Sequence, residues 1–283
     1  PTLPMVLVNG AEGIGTGYST NIPCFNPDDI KKNILRCMDG RLPLAMTPWY
    51  RGFKGTVHKK DNTTWSLIGN YTETASGIIT VTELPPGKWT QDYKEYLDSL
   101  VERERIMSFD NHSTEESVKF IIRGYTGVDP RKELGLIKAV HTTNMWLMTP
   151  NGMKKYKSAE DIVIDYFAIR MQHYKARKLN MLKEYRVLAA VASNKARFVR
   201  LVVNGDLVIF KRKRQSIDDS LVKLKFDTVQ GTFDYLMNIK TSQYTEESIT
   251  RLNNEEAEKK KLYDELNATD HVDMWKSDLK NIR

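Results

Sequence analysis

Hydrophobic and polar positions in residues 5–38 predict a strand, a loop and a helix. The run MVLV is strand-like, and a glycine-rich loop follows it. The helix opens at Asn26, a good N-cap, with Pro27 at the first helical position. Apolar residues then recur every three or four positions until Gly40, which ends the helix.

Between about residues 47 and 150 the pattern changes to short β-rich runs. Turn residues separate the segments TVHKK, TWSLIGNYTE, GIITVTEL, VKFIIRGY and NMWLM. One helix, TQDYKEYLDSLVERER, interrupts them. This alternation predicts an α+β domain with a mainly antiparallel sheet.

From about residue 158 the chain has a helical period. Four residues spaced by seven form one row of a heptad seam: Phe167, Tyr174, Met181 and Leu188. The segment 159–203 has no proline or glycine, so its helix can reach roughly 65 Å. A second amphipathic segment, 245–266, can pair with it, and short helices lie between them. The pattern predicts an antiparallel two-helix stalk with a helical head.

Composition adds a modest basic excess. The 283 residues include 43 Lys and Arg against 36 Asp and Glu, a net charge of +7, which permits nucleic-acid binding without proving it. No apolar run approaches the roughly 20 residues of a membrane span. Two cysteines, Cys24 and Cys37, indicate free thiols of an intracellular protein, and five scattered histidines disfavour a zinc site.

The stretch NGAEGIGTGYSTNIPCFNP concentrates the candidate chemistry. A dinucleotide-binding fingerprint needs GxGxxG before a helix, but Tyr18 stands where the third glycine belongs. A phosphate-binding P-loop needs Gly-Lys-Ser/Thr, and no lysine occurs before Lys31. Nucleotide binding is therefore disfavoured, although a nucleotide-dependent enzyme stays among the hypotheses.

A second interpretation is that the backbone approaches a large ligand closely. Glycines expose N–H groups that suit phosphate oxygens, and short polar side chains add to them. The candidate contacts are Gly13, Gly15, Gly17, Ser19, Thr20 and Asn21. Pro23 biases Ile22 to an extended conformation, so Ile22 is either a stiff wedge for a DNA base step or a residue of its own core.

Five ordered blocks of the sequence resemble type IIA DNA topoisomerases. The first is PMVLVNGAEGIGTGYSTNIPCFNPDDI, similar to the segment that follows the family's catalytic tyrosine. The others are PWYRGFKGTV, ITVTELPPGKWTQDYKEYL, NMWLMTPNGMKKYKSAEDIVIDYFAIRMQHYKARK, and FDYLMNIKTSQYTEESITRL with DMWKSDL. The blocks resemble the eukaryotic enzymes more than bacterial gyrase, and the separate medium subunit of T-even-type bacteriophage topoisomerases is the expected member.

The resemblance implies an α+β fold in five parts. Residues 1–25 are expected to be the end of a winged-helix region with a DNA-contact loop, and 26–157 a tower domain. Residues 158–204 are expected to be the first coiled-coil helix, 205–244 an exit-gate dimerisation head, and 245–283 the return helix and C-terminal segment.

The family also implies an activity and its partners. A dimer bends a gate duplex, two tyrosines cut it, and a second duplex passes through before resealing. The catalytic tyrosine is expected upstream of Pro1, so this chain alone should not cut DNA. Mg²⁺ and ATP are expected in an ATPase and metal-binding partner subunit, with no cofactor in this chain and no membrane. The expected location is the host cytoplasm.

The resemblance matches Ile22 to the family's intercalating isoleucine, and the neighbouring loop to its backbone-contacting segment. Arg51 and Lys54 are candidate phosphate contacts or solvated surface charges. The basic run at 211–214 is interpreted as a solvated loop, with contact to a transported duplex as the alternative. A DNA-bending module without enzymatic activity is the competing function.

Overall fold

The structure, a computed structural model, describes residues 1–282 and divides them into two compact units. The first unit is Pro1–Ala168, and the second begins at Ile169. Arg283, the last residue of the expected C-terminal segment, lies outside the described residues. The finer division into tower, stalk and head stays a prediction.

Helices begin and end as follows. They are α1 Met5–Asn9, α2 Pro27–Met38, α3 Thr90–Glu102, α4 Pro130–Glu133, α5 Ala159–Val203, α6 Arg214–Lys223, α7 Asp234–Met237, α8 Glu246–Ala268 and α9 His271–Lys280, with a 3₁₀ turn at Thr241–Gln243. The predicted long helix over 159–203 is confirmed at both ends.

The strands all pair in the antiparallel sense. They are β1 Ala11–Gly15, β2 Tyr18–Ile22, β3 Thr56–Lys59, β4 Thr64–Ile68, β5 Tyr71–Glu73, β6 Ile79–Val81, β7 Ser108–Asn111, β8 Phe120–Arg123, β9 Ile137–His141, β10 Met145–Thr149 and β11 Gly152–Tyr156. They form the hairpins β1–β2 and β10–β11 and the sheets β3-β4-β9 and β5-β6-β8-β7. The predicted mixed α+β class is confirmed.

Capping explains α2, whereas α1 contradicts the sequence pattern. The Asn26 side chain accepts a hydrogen bond from the Asp28 N–H at 2.8 Å, as an N-cap should. The strand prediction for MVLV is wrong, because the N–H groups of Leu7 and Val8 both donate to the Pro4 carbonyl. The resulting single turn buries Leu7 completely, and tertiary packing overrides the β propensity of this apolar run.

The main core of the first unit lies between α3 and the four-stranded sheet. One face of α3 turns three buried side chains, Tyr93, Leu97 and Leu100, toward Ile79 and Phe120 of the sheet. The Tyr93 and Phe120 rings meet edge to face with centroids 5.0 Å apart. This core supports the sheets beside which the two hairpins lie.

The second unit contains α8 and the part of α5 from Ile169 onward, and these two helices are antiparallel. Lys178 Nζ donates to the Asn267 carbonyl at 3.1 Å, and Arg200 donates to the Asn253 side chain at 2.8 Å. Because the later α5 residue meets the earlier α8 residue, the two helices run in opposite directions. Beyond them, α6 and α7 close a head whose buried side chains are Ala196, Phe198, Val199, Leu207, Ile217, Leu221, Phe226, Phe233, Leu236 and Leu252.

Helix α9 packs back on α5 within the second unit. The rings of Tyr174 and Trp275 stack with centroids 5.3 Å apart and planes 11° apart. The Tyr174 hydroxyl and the Arg177 guanidinium both donate to the Asp278 carboxylate, at 2.6 and 2.7 Å. Burial alone raises the pKa of Asp278, but these two hydrogen bonds hold it below its usual value.

Candidate nucleic-acid interface

The glycine-rich stretch folds as a protruding hairpin. Strands β1 and β2 pair from Ala11 opposite Ile22 to Gly15 opposite Tyr18, which leaves Thr16 and Gly17 as a two-residue turn. Gly17 has φ of 81°, a left-handed conformation that glycine adopts without steric cost. Gly17 therefore suits the tight turn that joins the two strands.

Strand alternation decides which isoleucine faces solvent. Side chains along a strand alternate between the two faces, and directly paired residues share a face. Ile14 pairs with Ser19, whereas Ile22 pairs with Ala11, so the two isoleucines lie on opposite faces. Ile14 is 93% exposed and Ile22 is 2% exposed.

The expectation that Ile22 presents an exposed wedge is corrected by this burial. Pro23 also lies in the interior, and the two residues anchor the base of the hairpin. A Cβ on Gly10 would lie 2.8 Å from the Ile22 carbonyl oxygen, so the chain packs tightly here. The exposed aliphatic side chain in the glycine loop is Ile14, eight positions earlier.

Of the predicted polar contacts, two are occupied by bonds within the protein. The Thr20 hydroxyl donates to the Trp146 carbonyl at 2.9 Å and accepts from the Trp146 N–H at 3.1 Å. The Ser19 hydroxyl accepts from the Asn144 side chain at 2.9 Å. Asn21 is exposed, and its backbone N–H donates to the Asn144 carbonyl at 2.8 Å. These residues fix the hairpin to a neighbouring strand.

That strand is β10, and its hairpin with β11 was not identified from the sequence as part of the site. β10 runs antiparallel to β2, because Asn144 lies beside Asn21 and Trp146 beside Tyr18. The Tyr18 and Trp146 rings meet edge to face with centroids 5.5 Å apart. The signal that could have identified this hairpin is the Asn-Gly dipeptide between two apolar runs, a typical turn sequence.

Two of the predicted glycines have no structural reason to be glycine. A Cβ on Gly13 would meet nothing within 4 Å, and one on Gly15 would meet only the Tyr18 carbonyl oxygen at an ordinary 3.7 Å. Neither has a positive φ. A glycine required by neither conformation nor internal packing is typical of a backbone that a ligand approaches closely.

Arg51 and Lys54 are both exposed, in a turn after Tyr50. Arg51 lines a groove of about 890 Å³, and the base of the hairpin lines another of about 640 Å³. Tyr50 and Cys24 belong to the walls of both grooves. Burial raises the pKa of Tyr50 to about 12, so its hydroxyl is neutral at physiological pH.

The basic run at 211–214 leads from the segment after α5 into α6 of the second unit, and Arg214 is the first residue of α6. Its four side chains are exposed, but Arg214 donates to Asp218 at 3.0 Å and to Asp234 at 2.7 Å. The hydrogen bond to Asp234 is the largest cause that raises the pKa of Arg214, and the bond to Asp218 is the next. The hydrogen bond from Arg214 in turn lowers the pKa of Asp234. Arg214 thus joins α6 to α7.

Among residues 1–282, no helix combines the length and the apolar character needed to cross a membrane. Among the side chains that the structure describes, which do not include that of Glu246, no cluster of three or more His, Cys, Asp or Glu is placed to hold a metal ion. The candidate chemistry of the chain is therefore that of its surface hairpins and basic side chains.

A family model that describes the A subunit of DNA gyrase/topoisomerase IV matches residues 1–280. The match extends over nearly the whole chain, from the N-terminal turn to the last helix. The chain therefore belongs to this family of type IIA DNA topoisomerases.

Similar proteins support the assignment. DNA topoisomerase 2 of Penicillium chrysogenum is 30% identical over 322 residues, covering 99% of this chain and 20% of that protein. The Arabidopsis thaliana enzyme is 37% identical over 236 residues, covering 78% of this chain and 16% of the enzyme. The chain thus spans a fifth or less of these eukaryotic relatives.

The fold matches a solved structure as well. The crystal structure of the Plasmodium falciparum topoisomerase II DNA-binding, cleavage and re-ligation domain superposes with a TM-score of 0.89. The match is 29% identical and covers 99% of this chain and 43% of that chain. The expected identity as the medium subunit of a bacteriophage topoisomerase stays a prediction.

Proposed function

We propose that this chain is the DNA-bending part of the breakage–rejoining subunit of an ATP-dependent type II DNA topoisomerase. The observation that carries the proposal is the exposed Ile14 at the projecting end of a rigidly anchored hairpin. Proteins that kink duplex DNA insert such apolar side chains between base steps from the minor groove. The hairpin thus carries the bending function that the sequence interpretation assigned to Ile22.

A wedge needs a stiff side chain on a stiff support. Ile14 is β-branched, which restricts its χ1 angle, and its strand pairs along the full length of the hairpin. Hydrogen bonds from Thr20 and Asn21 to β10 prevent the hairpin from swinging. Gly13 and Gly15 flank Ile14 and add no side-chain bulk to the opposite face of β1, so the hairpin stays thin enough for its backbone to approach the sugar–phosphate walls of the groove. Bending a short site costs on the order of 1–6 kcal/mol, which these contacts must offset.

The glycine positions offer a direct test of DNA approach. We expect Gly13→Ala to leave the unfolding free energy within about 0.5 kcal/mol of the parent chain, because the added methyl meets open space. The same methyl should weaken binding to a duplex, measured by fluorescence anisotropy. The comparison variant is Gly10→Ala, which should lower stability because Gly10 has φ of 69° and contacts Ile22. Unchanged affinity for Gly13→Ala contradicts the proposed interface.

The complete reaction requires parts that this proposal assigns elsewhere. The catalytic tyrosine is assigned to sequence upstream of Pro1, and Mg²⁺ and ATP to a partner subunit that contains the ATPase. The 283-residue chain alone is then unable to cleave DNA. The host cytoplasm is the proposed location, and a T-even-type bacteriophage medium subunit is the proposed identity of the natural protein.

A reconstitution separates the enzyme from a DNA-bending module without activity. The chain is joined to an upstream segment that supplies the tyrosine and is mixed with an ATPase partner subunit. Recovery of ATP-dependent relaxation of supercoiled plasmid supports the topoisomerase subunit. DNA bending without any recovery, under conditions where a related full enzyme is active, favours the module.

Arg51 and Lys54 are proposed to contact phosphates. Each neutralised phosphate contributes about 0.9 to the slope of log affinity against log salt, because a condensed counterion is released. We expect Arg51→Ala or Lys54→Ala to reduce the magnitude of that slope by about 0.9, measured by anisotropy titrations at several salt concentrations. Lys60, an exposed lysine of the β3–β4 turn, gives a control of equal charge. An unchanged slope identifies Arg51 and Lys54 as solvated surface charges.

Homodimerisation through the head is the second part of the proposal. Three apolar side chains of the head, Val208, Phe210 and Val222, are at least half exposed, and Phe210 is 64% exposed. Such residues on a small helical head favour association with a second copy. We expect Phe210→Asp to shift the chain from dimer to monomer in sedimentation velocity. The control is Leu179→Asp, at an exposed apolar position of α5, which should leave the dimer intact. A parent chain that is monomeric at high concentration contradicts dimerisation through the head.

A further inference from the structure

The β10–β11 hairpin carries an exposed methionine pair that the proposed wedge does not explain. Met148 and Met153 face each other across the two strands, one pair below the turn. They are 76% and 44% exposed. Two large exposed apolar side chains near the proposed wedge are placed to contact a bound DNA duplex.

The orientation of this hairpin follows from its contacts with β2. β10 runs antiparallel to β2. Going forward along β10 from Trp146 to its turn is therefore the same direction as going backward along β2 from Tyr18 to Thr16. The turns of both hairpins therefore project at the same end. The two hairpins belong to separate sheets, and the contacts of Thr20 and Tyr18 with Trp146 hold them side by side.

The two faces of the second hairpin have different roles. Met145 and Tyr156 form a buried pair on one face, and the Tyr156 hydroxyl donates to Asp165 at 2.9 Å. Lys154 donates to the same carboxylate, and this hydrogen bond is the largest cause that lowers the pKa of Asp165. This face anchors the hairpin to the start of α5.

The opposite face combines apolar surface with positive charge. Trp146 pairs with Lys155 directly behind the methionine pair, and Lys155 Nζ lies 5.9 Å from the centre of the Trp146 ring. Lys155 and the following Lys157 are exposed. An apolar tip with lysines behind it fits a groove of a polyanionic duplex, where the lysines meet phosphates and the tip meets base and sugar edges.

We infer that the methionine tip, Met148 with Met153, is a second contact to the same DNA duplex, next to the Ile14 wedge. The two hairpins are held side by side by the contacts of Thr20 and Tyr18 with Trp146, and their turns project at the same end. Methionine is flexible and polarisable, so it adapts to an irregular groove next to a kink. This inference rests on the proposed function, because it places the tip on the DNA that Ile14 bends.

The test uses the 283-residue chain with the double variant Met148→Ser/Met153→Ser. We expect about tenfold weaker duplex binding, since two methionine side chains no longer leave water on binding. In a hydroxyl-radical footprint, protection of the sugars that flank the kinked step should decrease. A 2-aminopurine placed at the kinked step should still report unstacking, because Ile14 is unchanged. Met148→Leu/Met153→Leu should restore both affinity and footprint.

The control for general surface effects is Val128→Ser, at an exposed apolar position of the loop before α4, with affinity expected to stay within twofold. Circular dichroism melting verifies that each variant folds. If the double serine variant binds and protects DNA like the parent while Ile14→Ala removes the unstacking signal, the second contact is overturned and the wedge stands. If Ile14→Ala leaves the signal unchanged, the proposed function itself fails.

Discussion

Ile14→Ala should abolish the kink in a bound duplex while leaving the protein fully folded. The side chain is 93% exposed, so its removal costs no core packing, and the unfolding free energy should stay within about 0.5 kcal/mol of the parent. The kink depends on an aliphatic group that separates stacked bases, and alanine is too short for this. Energy transfer between dyes at the two ends of a 30-base-pair duplex measures the bend, which should fall below about 20°.

Val128→Ala is the matched control, because Val128 is also β-branched, is 95% exposed and lies outside both hairpins, in the loop before α4. It should retain the parent bend. Ile14→Leu should retain part of it, since leucine is equally apolar but less stiff. A parent-like bend in Ile14→Ala rules out Ile14 as the wedge, and loss of the bend in Val128→Ala points to an indirect effect.

Ile22→Ala should have the opposite outcome, a loss of stability without a specific effect on DNA. Ile22 lies in the interior at the base of the hairpin, against Gly10, so truncation leaves a cavity. Removal of a buried isoleucine side chain beyond Cβ typically costs about 2–5 kcal/mol. Urea denaturation of the first unit, followed by tryptophan fluorescence, should give this decrease with an unchanged dependence on denaturant concentration.

Ile22→Val is the conservative partner and should cost about 0.5–1.5 kcal/mol. DNA bending by the Ile22→Ala protein, measured at a temperature where it is folded, should equal that of the parent. A stable Ile22→Ala protein that fails to bend DNA restores the original wedge assignment and contradicts the present one.

The sequence predicted the α+β class and the long helices, because these depend on local signals. The Asn26 cap and the proline- and glycine-free run to Val203 are both confirmed. The short run MVLV was predicted as a strand, since four apolar residues carry no period that distinguishes a strand from a helical turn. The burial of Leu7 against the rest of the first unit, which no local pattern encodes, decided the outcome.

The sequence singled out the glycine-rich stretch as a candidate loop, but it did not predict the internal register of the hairpin. Locating Ile14 required the pairing of Gly15 with Tyr18, and a glycine-rich stretch leaves several registers open. Once the turn is placed at Thr16–Gly17, alternation alone puts Ile14 outward and Ile22 inward. The partner hairpin was missed because Trp146 is 126 positions away from Thr20, beyond any sequence window.

That separation of 126 positions also determines the order in which the interface can form during synthesis. Ribosomes emit about 5–20 residues per second, so the first hairpin waits on the order of 6–25 s before β10 exists. Throughout this interval Tyr18 and Thr20 lack the strand against which they fold. The nascent chain exposes this edge to chaperones, and closing so long a loop makes docking of the two hairpins a late event in the folding of the first unit.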